Sequence, residues 1–573
     1  LYCSKGDNSP TTFSIWVILL TILSTMWRSV FIDYAPLLSV MSEDVLRGQT
    51  YTKTAKPYLA TGEAYLFLAD EKTEYQGLHI RTNHTMYKVL DAISFDEPIR
   101  KVHAEPTWLH CYTDTNKIKI QLQKGRLVIQ PTHPCNVTID ADCRPQKEHP
   151  TFGRNYTIDN VQKGNTIKYF QDNELQISFD IHHDGVSLKE EWIERNYSYD
   201  EKRTGHGKKY VFRLGTFEIE NSLEVFWDGA MPLYHHRLHQ FLYTEGRERL
   251  CAGYPWFSQS WARDEVISVE PLIRRGETHR AKRILLSYVS THNVSSVVGG
   301  ELKSADVYGW LARRLIQLDK KTRLSAKTSK EVYEYFTGYT DTYVDETGLV
   351  PNGPLETWMD TSGNTSDTRE GYSVEIQFGL LAVYQLLTRL ARRANKPRKE
   401  EVLSRTKGVI RHMLVDKGIL HDGYTNGLRS ATRPNVFLAW YLYPRGVHRN
   451  TWLKTFEHVL NHCWCLWGGL SSIGKDHPLY QHTYTGQDNK SYHRGDSWYF
   501  VNNIAAIAMD TVGKNTFLKY THKIRDASLR DWEEIGAIGA CSEISSASSQ
   551  DFSGTFSQAW SLSTLDELLH RLR

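Results

Sequence analysis

The chain lacks a charge excess of either sign: 69 Lys and Arg stand against 66 Asp and Glu in 573 residues. A polyanionic partner such as nucleic acid is therefore not expected. It is also poor in cysteine. Cys3, Cys111, Cys135, Cys143, Cys251, Cys463, Cys465 and Cys541 include no CxxC spacing, which argues against a disulfide framework and against a zinc site. Reduced, cytoplasmic thiols are the default expectation. No repeat of fixed period is present, which argues against a plain helical array. What the chain does have is aromatic side chains, at 12% with 16 Trp and 32 Tyr. They suit a surface that grips a neutral ring, and large cores use them as well.

Length implies two to three domains. Phe13 to Trp27 is an apolar run of signal-peptide length, too short for a comfortable span. Met41-Ser42-Glu43-Asp44 reads as a natural start, so residues 1–40 are expected to be an upstream extension or mis-set start; a signal or anchor is the alternative, and secretion or anchoring would follow only from it. Asn83, Asn136, Asn155, Asn196, Asn293, Asn364 and Asn489 head N-x-S/T triplets that acquire meaning only in a secreted chain. No membrane partner is expected.

From about Thr50 to Gly229, short β-branched and aromatic runs alternate with turn residues. Ile118 to Leu122, Leu175 to Phe179 and Phe217 to Ile219 read as half-buried antiparallel strands, and their number predicts a β-sandwich over residues 41–232. His182, His183 and Asp184 suggest a metal only superficially, because neighbouring side chains on a strand face opposite ways.

After about Leu233 the period becomes helical. Helices are expected at 264–276, 277–290, 306–319, 330–343, 372–395, 400–416, 435–442, 450–462, 496–509, 514–527 and 558–572, with another near 236–244. Apolar helices such as 372–390 alternate with amphipathic ones such as 277–288, a pattern that suits concentric inner and outer layers.

The loops leading into the expected inner helices carry acids beside indoles. Glu356, Trp358 and Asp360 precede the apolar helix, and Glu543 lies far along the chain, ahead of Gln558-Ala559-Trp560. Two carboxylates of this kind, with aromatic faces to hold a pyranose, are what glycoside hydrolysis requires. Trp256, Trp261, Arg263, Asp264, Asp306, His493, Trp498 and Gln558 join the candidate sugar contacts. Asp264, Asp306 and Asp496 serve equally well as helix caps, and each Trp as core. Glu375 opens a buried helix and must meet substrate or an arginine such as Arg369. By position alone, Glu356 and Asp360 are rival acids.

The order of these motifs resembles the amylo-α-1,6-glucosidase domain of glycogen debranching enzymes, glycoside hydrolase family 133, over roughly residues 250–570. The resemblance rests on Tyr254 to Phe257, Trp261-Ala262-Arg263-Asp264, Thr357 to Asp360, Val374-Glu375-Ile376, Arg433-Pro434-Asn435, Gly469-Leu470, Tyr492 to Trp498, Ser542-Glu543 and Gln558 to Ser561. It implies an (α/α)6 barrel over residues 233–573 and an inverting, exo-acting hydrolase releasing glucose from α-1,6 branch points of glycogen-like α-glucans, with no cofactor. It selects Asp360 as acid, its pKa raised by burial, and Glu543 as base, about 6.5–9.5 Å apart. The chain departs from the family at Ala262, Glu265, the stretch Ser366 to Gly371 and Ser545-Ser546-Ala547. A glucoamylase- or trehalase-like enzyme is the alternative within the chemistry. A non-catalytic carbohydrate-binding protein is the alternative outside it, and a sugar epimerase would rest on His493 alone.

Overall fold

The computed structural model describes residues 49–572 apart from 53–56, 70–72, 83–84, 106–107, 124, 147, 149–152, 162–163, 228–236, 292–303 and 552. The extension at 1–40 and the boundary at 232/233 lie outside these residues.

Between Gln49 and Phe226 the described strands form two antiparallel sheets, of nine and seven strands. The strand Lys117–Gln123 shows why: Ile118, Ile120 and Leu122 point inward while the lysines and glutamines between them stay wetter. These residues share one apolar cluster with Leu66, Val137 and Ile139 of the other sheet. The expected strands at 175–179 and 217–219 lie within Glu174–His182 and Lys208–Ile219, although Leu175 at the first strand's edge is exposed. The rings of His182 and His183 meet different partners, Phe226 and Phe217. One helix interrupts this half, α1 (Ser198–Thr204), where the alternating pattern predicted only strands.

A helical region follows: α2 (Ala262–Ser268), α3 (Glu270–Arg275), α4 (Thr278–Thr291), α5 (Val307–Lys321), α6 (Ala326–Tyr343), α7 (Val374–Ala394), α8 (Glu400–Leu414), α9 (Asn435–Leu442), α10 (Arg449–Cys463), α11 (Tyr499–Arg530) and α12 (Ala559–Arg571). Two expectations change. The helix predicted near 236–244 is a 3-10 turn, Arg237–Phe241, running into the strand Leu242–Glu245, which pairs with Arg247–Leu250. The helix predicted over 264–276 is two, divided at Val269 with Pro271 opening the second. The two helices predicted over 496–509 and 514–527 are present within Tyr499–Arg530, separated by a kink where Gly513 leaves helical geometry.

Helices α2, α5, α7, α9, α11 and α12 contact one another in that order, and α12 returns to α2. Helix α7 is buried along nearly its whole length, whereas α8 buries only Thr406, Ile410 and Leu414. Where α5 crosses α7, a Cβ on Gly309 would stand 2.5 Å from the Gly379 Cα, so backbone meets backbone there. Among the described residues no helix is long and apolar enough to cross a membrane.

Candidate active site

The six mutually contacting helices begin near one another. Two-residue strand pairs tie their starts together: Gly253–Tyr254 to Ser557–Gln558, and Ser497–Trp498 to Ile544–Ser545. Loops before α2, α7, α11 and α12 therefore converge on a cavity of about 420 Å³, within the range of small-ligand clefts. Trp256, Trp261, Trp358, Trp498 and Trp560 wall it, and Asp264, Asp360 and Glu543 face it. Trp358, Trp498 and Trp560 are buried and meet edge to face, with 5.1 Å between the first two ring centres and 5.9 Å between the last two. They form the floor; Trp256 and Trp261, half-buried, stand higher.

Asp360 keeps about a third of its side chain exposed to the cavity. Arg263 Nη1 donates to its Oδ2 at 3.1 Å, and His493 Nε2 stands 3.5 Å from its Oδ1. Burial pushes the Asp360 carboxyl up, as expected from sequence, but the His493 imidazole and the Arg263 guanidinium outweigh it and hold the group below the usual carboxylate range. That net direction corrects the expected rise. His493 itself is stacked on Trp498 at 5.1 Å, and burial pulls it down to about 4, so it is neutral.

Glu543 behaves oppositely. Tyr492 donates its hydroxyl to Oε1 and the Thr555 amide donates to Oε2 at 3.0 Å, yet burial dominates and pushes the carboxyl up to about 7. Asp264 rises further, to about 8, through burial against the opposing Arg263, with Glu543 and Asp360 adding to the rise. Gln558 Nε2 donates to Asp264 Oδ1 at 2.8 Å. A carboxyl group with a value near the operating pH can serve as acid or base, and two carboxyls with different environments divide those tasks.

Three of the sequence candidates stand behind the wall. Asp306 precedes α5 without capping it and instead takes Arg263 Nε at 2.9 Å; Arg263 also donates to the Thr357 carbonyl, so it braces the motif as well as facing the cavity. Glu375 pairs with Arg369, Nη1 to Oε1 at 2.6 Å and Nη2 to Oε2 at 3.0 Å, which answers the choice between substrate and arginine. Arg369 reaches on to Asp422 and to the Thr357 hydroxyl, while Asn435 joins Asp422 to the Trp358 indole N–H. His493 reaches the site only through Asp360. Glu356, expected as a sugar contact, lies outside the cavity lining, and its Oε2 accepts the Gly353 amide at 2.7 Å to close its own turn. Asp496 caps no helix; its Oδ2 accepts from Ser491.

The departures from the family pattern lie in explicable places. Glu265 faces away from the cavity, taking the Leu250 amide and the Tyr288 hydroxyl. The loop after Asp360 is held by Asp367, which pairs with Arg433 and Arg494. Ser546 accepts the amide of Tyr484, a cavity residue.

Thr361, Phe257, Tyr484, Gln487, Asn489, Tyr492, Gly554 and Trp560 also line the cavity. Phe257, Tyr492 and Trp560 sit inside motifs legible in the sequence, whereas Arg203, from α1 in the β half, carries no local signal at all.

A helical region that brings paired carboxyls and clustered indoles to one cavity is the apparatus of a glycoside hydrolase. The signature of the amylo-alpha-1,6-glucosidase family matches residues 232–297 and 303–567, more than half of the chain, and the chain belongs to that family. No curated protein matches it. Among solved structures, the chain is similar to a GH63 mannosylglycerate hydrolase from Thermus thermophilus in complex with Tris and D-glycerate, at 15% identity over 56% of this chain and 95% of that one, TM-score 0.40. It is similar also to a wild-type glycosidase, at 15% identity over 56% and 91%, TM-score 0.41.

Proposed function

We propose that the chain releases glucose from α-1,6 branch points of glycogen-like α-glucans by inversion, with Asp360 as general acid and Glu543 as general base. The observation that carries the reading is that both carboxyls face one indole-walled cavity. Residues 233–573 then form an (α/α)6 barrel, α2, α5, α7, α9, α11 and α12 being its inner helices, and residues 41–232 a β-sandwich domain beside it.

Inversion requires protonation of the leaving oxygen on one ring face and deprotonation of water on the other. Glu543, oriented by Tyr492 and Thr555 and poised at about 7, suits the water. Asp360 suits the leaving oxygen once sugar displaces water around it and draws Arg263 into a hydroxyl contact, both of which raise its proton affinity. Asp264, largely protonated at neutral pH, can donate to a non-reacting hydroxyl. Trp358 and Trp498 give the ring its apolar face.

The test is glucose release from α-1,6-branched dextrins, maltose and trehalose, with the product anomer read by NMR and with Asp360→Asn and Glu543→Gln as controls. Preference for the branched dextrin with β-glucose as first product supports the reading. Preference for maltose or trehalose replaces it by a glucoamylase- or trehalase-like enzyme, and undiminished activity in either variant removes that residue from the pair.

A further inference from the structure

The cavity is not built by the helical region alone. Helix α1, seven residues long, is too short to stand by itself. The β half pins it: the Tyr197 hydroxyl donates to Asp91 at 2.5 Å, and buried Asp200 accepts the Glu74 amide at 2.7 Å. On its other side the Tyr199 hydroxyl donates to the Gly554 carbonyl, and the turn at Gly486 packs so closely on the Arg203 carbonyl that a Cβ there would come within 2.8 Å of it. The helix is thereby fixed with Arg203 in the cavity wall.

Arg203 lies over Trp256, its guanidinium carbon 4.5 Å from the ring centre. Its Nε is buried with no hydrogen-bond partner, while Nη2 makes a long ion pair with Asp200 Oδ1 at 3.8 Å. A buried donor left without an acceptor is costly, and a planar guanidinium held over an indole presents its remaining donors edgewise in a fixed direction. Its neighbours in the lining include Gln487, which is exposed, and Tyr484. This is the rim, opposite in character to the buried floor of Trp358, Trp498 and Trp560.

We propose that Arg203 of the β half is a substrate-binding residue that hydrogen-bonds the leaving portion of a neutral oligosaccharide, forming with Trp256 and Gln487 the sugar site just beyond the scissile bond. The proposal rests on the glucosidase reading of the cavity. An exo-acting pocket holds the terminal glucose on its floor and the remainder of the chain at its mouth, where a guanidinium edge matches a vicinal diol and the indole matches a ring face.

Calorimetric titration in the Glu543→Gln background, with glucose and separately with isomaltotriose, tests it. Arg203→Ala is expected to weaken isomaltotriose binding at least about ten-fold more than glucose binding, with Arg203→Lys intermediate because it keeps the charge and loses the fork. In the otherwise wild-type chain, KM for branched dextrin should rise more than kcat falls. Equal weakening of both sugars, or none, overturns the proposal, and an unchanged thermal melt of Arg203→Lys guards against misfolding as the cause. A wild-type chain that hydrolyses no α-glucoside would defeat the functional reading, while the ratio of the two affinities would still decide Arg203.

Discussion

The Tyr492 hydroxyl donates to Glu543 Oε1 over 2.5 Å, from the loop before α11 to the loop before α12. Burial raises Glu543 and this bond opposes the rise. Tyr492→Phe therefore raises Glu543 above its value of about 7. The reactive pair must retain one proton between Asp360 and Glu543, and that proton is lost as pH passes the Glu543 value. The alkaline limb of kcat/KM should move upward by about half a unit to one unit, and the maximum should fall by about ten-fold. Rate profiles from acid to mildly alkaline pH decide it; an unmoved limb would assign the titration elsewhere, to Asp264 first.

A bell-shaped profile reports the pair and not its members, because a proton on Asp360 with charge on Glu543 gives the same curve as the reverse. Leaving-group chemistry separates the roles. α-Glucosyl fluoride needs little protonation of its leaving group, so Asp360→Asn should lose about 10³-fold on branched dextrin and far less on the fluoride. Glu543→Gln should lose heavily on both. The opposite pattern would exchange the two assignments.

Gly554 has φ +67° and a Cβ there would lie 2.5 Å from Glu543 Oε2. Gly554→Ala carries backbone strain of about 1–3 kcal/mol and displaces the base. Activity should fall about 100-fold, with far-UV dichroism unchanged. Full activity would show that the loop yields without moving Glu543.

Arg369 is buried between Glu375 and Asp422 and holds the Thr357 hydroxyl. Arg369→Ala leaves two buried carboxylates short of their cation, a loss of about 3–5 kcal/mol. The urea midpoint of the helical region should drop accordingly. A double variant with Glu375→Gln should recover part of the loss, and no recovery would argue against pairing as the cause.

Much of the site was legible because each inner helix announces its start. Trp261-Ala262-Arg263-Asp264, Tyr492 to Trp498 and Gln558 to Trp560 sit just before or at the first turn of a helix, Trp358 to Asp360 lie in the loop leading to another, and helix starts that meet in space make one cavity. Sequence spacing failed where a contact is long-range. Nothing near Arg203 tells that a residue amid β strands will lie over Trp256. The sign at Asp360 depends on Arg263 and His493, both far away along the chain.

Asp264, Asp360 and Glu543 surround a void the size of a small ligand. Burial makes the first and last hold a proton more readily, which lessens their mutual repulsion. A sugar mimic with an ammonium nitrogen in its ring would relieve the same repulsion by bringing a cation, and so would displace those protons into solvent. Such an inhibitor should bind with a heat that varies with buffer ionisation enthalpy, while its affinity at a fixed pH stays the same from buffer to buffer. The three acids thus make the pocket a proton-releasing receptor for positive charge as well as a place where a bond is cut.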